Sequence, residues 1–90
     1  MPYLLKRHPR VKKQLRLVPE RIAKDVAQTI LDLAYDPYPP IADELRDQYK
    51  GTWKIKIDGW RIFYRVNEQD KVVTVISVKR RDKDTYRRLS

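Results

Sequence analysis

The sequence has no cysteine and one histidine, His8. The first absence excludes disulfides and thiolate metal sites, and the second leaves little from which to build a zinc site. No apolar run approaches the ~18–20 residues that a helical membrane span requires. The opening "MPYLLKRHPR" lacks the apolar core of a signal peptide. No internal repeat, Gly/Ser linker or low-complexity tract interrupts the chain. A soluble cytoplasmic protein with no metal and no cofactor is the expectation. Acidic residues are also scarce: 12 stand against 21 Lys and Arg, for a formal net charge of +9. An imbalance of this size favours nucleic acid, an acidic protein or an anionic surface as partner.

What is present fits one compact domain over residues 1–90. Hydrophobic residues make up 41% of the chain, enough for a small core. The charge is uneven. Residues 1–45 hold eight basic and six acidic side chains, whereas residues 46–90 hold thirteen and six. The excess therefore sits in the second half.

Apolar spacing divides the chain. "YLLKRH" (Tyr3 to His8) predicts a short first strand, with His8 an incidental surface residue. Pro9 suits a first helical turn, and Val11, Leu15 and Val18 follow at helical spacing with Lys12, Lys13 and Arg16 off that face. Pro19 ends this helix and opens the next. In "PERIAKDVAQTILDLAYD" the residues Ile22, Ala23, Val26, Ala27, Ile30, Leu33 and Ala34 form one apolar stripe. "DPYPP" (Asp36 to Pro40) stops it. "IADELRDQYK" reads equally as loop, helical turn or lead-in to a strand, with Ile41 and Leu45 available to cap the core.

From Thr52 the period changes to two. Strands are predicted at Thr52–Ile57, Trp60–Asn67 and Val72–Lys79, with Asp58-Gly59 as a two-residue hairpin turn. Trp53, Ile55, Ile57, Trp60, Ile62, Tyr64 and Val66 alternate onto one face of the hairpin, which should meet the helices. Lys54, Lys56, Arg61 and Arg65 share the other, which should be solvent. "KVVTVISVK" is nearly all apolar and β-branched, as a central strand would be. The expected fold is α+β, in the order β-α-α-β-β-β: a two-helix hairpin packed on a mostly antiparallel four-stranded sheet.

That order, together with "DPYPP", "GTWKIKIDGWRIFYRV" and "VISVKRRDKDTYRRL", resembles the RelE/ParE toxin superfamily over nearly the whole chain. The resemblance implies a toxin of a type II toxin–antitoxin system. It is closest to the RelE-type branch, whose members are endoribonucleases that cleave messenger RNA in the ribosomal A site and so inhibit translation. The ParE branch instead poisons DNA gyrase without nuclease activity. RelE-type nucleases carry Lys-x-Lys on one strand, Arg on the next, Arg after the last strand and Tyr in the tail. Lys54-Ile55-Lys56, Arg61, Arg81 and Tyr86 match these positions. Counting back from Tyr86 would choose Arg80 rather than Arg81. The resemblance also implies an acidic, RelB-like antitoxin as partner, beside the ribosome and messenger RNA, with the toxin alone a monomer.

Cleavage of RNA by its own 2′-OH needs a proton acceptor, stabilisation of the phosphorane and a proton for the leaving 5′-oxygen. A general acid or base contributes about 10²–10⁴-fold. A lysine serves as base only if its pKa falls from about 10.4 toward 7, and cations gathered on one face push in that direction. On this scheme Lys54 or Lys56 is the base, Arg61 clamps the phosphate, Arg81 serves the leaving oxygen, and Tyr86 stacks on a base or orients the hydroxyl. Arg65, Lys79, Arg80, Lys12 and Lys13 are the further expected RNA contacts.

Overall fold

The computed structural model describes residues 2–81. Its elements run β1 (Leu4–Arg7), α1 (Pro9–Arg16), α2 (Glu20–Asp32), β2 (Ala42–Glu44), a 3₁₀ turn (Asp47–Tyr49), β3 (Thr52–Ile57), β4 (Trp60–Asn67) and β5 (Val72–Arg80). The sheet order is β1-β5-β4-β3-β2. All neighbours pair antiparallel except β1, which runs parallel to β5. The expected α+β layers are present, but the sheet has five strands rather than four. The addition is β2, from the stretch whose sequence was ambiguous. It is three residues long and carries two carboxylates, so neither length nor alternation marks it. Ile41 does not cap the core either: it is 61% exposed.

Local chemistry sets the element ends. Pro9 occupies the first turn of α1, where its missing N–H costs nothing. His8 is the N-cap, and its ring Nδ1 accepts from the Arg10 backbone N–H at 3.2 Å. Asp58 and Gly59 both adopt positive φ, 44° and 82°, the left-handed pair that a two-residue hairpin turn demands. An Arg21–Asp58 ion pair joins the start of α2 to that turn.

The helices cover one face of the sheet. Val11, Val18, Ile22, Val26 and Leu33 pack on Ile55, Trp60, Ile62, Tyr64, Val73, Val75 and Val78. Trp53 is half-buried against the same core. The other face is not simply solvent, as expected for the basic side of the hairpin. Arg61 is 3% and Phe63 5% exposed, although Phe63 is outside the core cluster. Both belong to β4, which has a neighbouring strand on each side, so their flanks are covered by β3 and β5.

The β4–β5 pairing shifts register between Phe63 and Tyr64: Phe63 lies opposite Ser77 but Tyr64 opposite Val75. Ile76 is thus an inserted residue, a β-bulge. Beyond it, the Val78 backbone N–H donates to the Gln14 side-chain oxygen of α1 at 2.7 Å.

The loop after α2 is tied to the sheet by tyrosines. The Tyr64 hydroxyl donates to the Pro37 carbonyl at 2.7 Å. The Tyr38 ring tilts on Trp53 with centroids 5.0 Å apart. Glu68, in the β4–β5 turn, accepts from the Tyr3 hydroxyl at 2.6 Å, from the Tyr38 hydroxyl and from Lys71 at 3.0 Å. Those donors, Tyr3 foremost, lower the Glu68 pKa from about 4.5 to about 2. Burial and the bond to Glu68 raise that of Tyr38.

Two outcomes follow. Gln14→Leu leaves the Val78 N–H without its acceptor and should cost about 1–3 kcal/mol in chemical denaturation. The depressed Glu68 pKa means that its contribution is fully present above pH about 4.5 and is lost as pH falls toward 2. Glu68→Gln should therefore lower the melting temperature at neutral pH, and its deficit against the native chain should shrink between pH 4.5 and 2 in thermal melts.

Candidate nucleic-acid interface

On the face away from the helices, cross-strand register arranges the side chains in rows. Lys56 on β3 lies opposite Arg61 on β4, which lies opposite Lys79 on β5. This makes three cations in one line. The adjacent row runs Asp43, Lys54, Phe63 and Ser77 across β2 to β5. The next holds Thr52, Arg65, Thr74 and Lys6. Lys56, Lys79 and Arg65 are exposed, Lys54 is half-buried and Arg61 is buried.

The line exists because of the bulge. Val73 and Val75 point to the core. Unbroken alternation would send Ser77 and Lys79 the same way and Val78 to the opposite face. The insertion of Ile76 switches the parity, so that Val78 is 1% exposed in the core and Lys79 stands beside Arg61. Like charges directly opposite in a sheet repel, at roughly 0.2–1 kcal/mol per pair. A polyanion laid along the line would relieve that repulsion.

Arg80 lies opposite the core residue Trp60, on the helical side. Arg81 follows, with its backbone N–H bonded to the Gly59 carbonyl at 2.7 Å. Lys12 and Lys13 are exposed on α1, across the sheet from the row, and the fold does not bring them to it. Tyr86 lies outside the described residues. Asp43 is the residue that sequence reasoning missed: it brings a carboxylate opposite Lys54, and only recognition of the short β2 could have placed it there. Among the described residues no group of His, Cys, Asp or Glu is arranged to hold a metal ion, and no helix is long and apolar enough to cross a membrane.

This fold is shared with solved toxin structures. The RelE–RelB complex of Pyrococcus horikoshii is similar at 26% identity and a TM-score of 0.78, over 92% of this chain and 99% of that one. The intact RelBE toxin–antitoxin complex of E. coli is similar at 25% identity and 0.76, over 90% and 99%. The YoeB/ParE toxin of Agrobacterium tumefaciens is similar at 15% and 0.74, over 88% and 99%, a likeness of fold alone. No curated protein matches the chain. The family model of the ParE toxin of the type II toxin–antitoxin system parDE matches residues 5–85. That span takes in both helices and every strand but for the first residue of β1, and the chain therefore belongs to this toxin family, within the RelE/ParE superfamily.

Proposed function

We propose that this toxin is a ribosome-dependent endoribonuclease that cuts messenger RNA in the A site and is neutralised by a RelB-type antitoxin. The observation that carries the reading is the row Lys56–Arg61–Lys79. Three cations in line suit the phosphodiester of a single strand: the exposed Lys56 and Lys79 are placed to meet its oxygens, and the buried Arg61 adds positive charge between them.

Within this reading the two lysines differ in place. Lys56 shares the row with Arg61 and is the proton acceptor for the 2′-OH. Lys54 faces Asp43 and Phe63 and supplies supporting charge from the next row. Arg81, at the end of β5, stabilises the leaving 5′-oxygen. Tyr86 stacks on a base. Arg65 and Lys79 hold flanking phosphates, and Lys12 and Lys13, on the helical side, are free to meet ribosomal RNA phosphates.

A second reading is inhibition of DNA gyrase without cleavage. It is favoured by the match to the ParE toxin family model, and in it the cationic row is a binding surface only.

Primer extension on messenger RNA in a translating extract tests between them. The native chain should create new ends within A-site codons. Lys56→Ala should reduce cleavage by about 10²-fold or more and, because Lys56 is exposed, leave stability within about 0.5 kcal/mol. Lys54→Ala should reduce it less. Intact messenger RNA together with loss of gyrase supercoiling would move the toxin to the second reading.

A further inference from the structure

Around the β3–β4 turn from the cationic row lies a cleft of about 420 Å³. It is lined by Leu17, Arg21, Asp58, Trp60, Arg80 and Arg81, together with the backbone turns at Pro19 and Gly59. The volume falls within the range of small-ligand sites. The chemistry is mixed: three arginines and one carboxylate line it, with Arg21 paired to Asp58, and an indole and a leucine add apolar groups. Leu17 is 74% exposed, the position at the end of α1 where a polar residue would have sufficed.

The cleft and the row are neighbours along the strands. Trp60 pairs with Arg80 one residue from the Arg61–Lys79 pair, on the opposite face of the sheet. The bond from the Arg81 N–H to the Gly59 carbonyl holds the end of β5 against the turn, and the Arg21–Asp58 ion pair fixes the turn to α2. The cleft is therefore braced on both sides. Guanidinium planes and aromatic rings are the surfaces on which unpaired bases stack, an apolar side chain beside them adds buried contact, and the same guanidinium groups hold phosphates.

We propose that this cleft binds a nucleotide next to the one at the cationic row, so that single-stranded RNA bends round the β3–β4 turn and is held on both faces of the sheet. The identity of the ligand rests on the ribonuclease reading; the cleft and its charge do not. Arg21 provides the stacking plane and Leu17 an apolar contact beside it, and Arg80 and Arg81 take the phosphate between the two nucleotides.

The test is titration of the ¹⁵N-labelled full chain with a 2′-O-methylated RNA trinucleotide, which cannot be cut because its attacking hydroxyl is blocked. Amide shifts at Leu17 and Gly59 and the indole shift of Trp60 should accompany those of Lys56 and Lys79. Leu17→Asn, which suits the end of a helix, should weaken binding about tenfold through the loss of buried apolar contact with the base. Arg80→Gln should reduce the slope of log affinity against log salt by about 0.7, one phosphate contact on a single strand, and Arg80→Lys should restore it. Shifts confined to the cationic face, or Leu17→Asn binding like the native chain, would overturn the proposal. If the native chain cuts messenger RNA while the cleft stays silent, the cleft fails and the nuclease reading stands. If the trinucleotide fills the cleft while messenger RNA stays intact in the extract, the cleft stands as an RNA site and the nuclease reading fails.

Discussion

Ile76 is an insertion of one residue, and the side chains that follow it on β5 owe their facing to it. A strand has a period of two, so one extra residue exchanges its two faces. Before the bulge Val73 and Val75 pack on the helices. After it Val78 does so and Lys79 does not. The cost is a disturbed ladder between β4 and β5. On the other edge of β5 the pairing with β1 ends at Arg7 and Val75, and the Gln14 side chain of α1 accepts the Val78 N–H beyond it.

β4 connects this register to the site. Its residues Trp60 to Tyr64 are all buried. Trp60, Ile62 and Tyr64 join the core, and Arg61 and Phe63 turn the other way. Packing that holds the core strand in place therefore also fixes the backbone from which Arg61 projects. The far end of the same strand is pinned separately, where Tyr3, Tyr38 and Lys71 converge on Glu68 and the Tyr64 hydroxyl holds the Pro37 carbonyl. A frame of this kind holds the cationic row in one arrangement, as the proposed phosphate contact requires.

Much of this was legible in the residues. Period-two alternation and the Asp58-Gly59 turn placed β3 and β4 to the residue, and the apolar stripe with its prolines located both helices. The alternation also put Lys54, Lys56, Arg61 and Arg65 on one face. Three features were not legible. β2 is too short and too acidic to carry a pattern, so the fifth strand and Asp43 went unseen. The burial of Arg61 at 3% exposure belongs to the folded sheet, which a linear reading does not supply. The bulge leaves no mark in "VVTVISVK", where valine and isoleucine suit either parity. For that reason the line Lys56–Arg61–Lys79 emerges only from cross-strand register.

Membership of a toxin family whose branches act on different targets leaves the chemistry to the site, and the site's distinguishing feature is the cationic line. The most direct test of its role is electron cryomicroscopy of the toxin on a ribosome whose A-site codon carries 2′-O-methyl groups. The account predicts the toxin in the A site with a codon phosphate lying over Arg61, between Lys56 and Lys79. A toxin that leaves the A site empty, or that binds there with the phosphates away from this row, would contradict it.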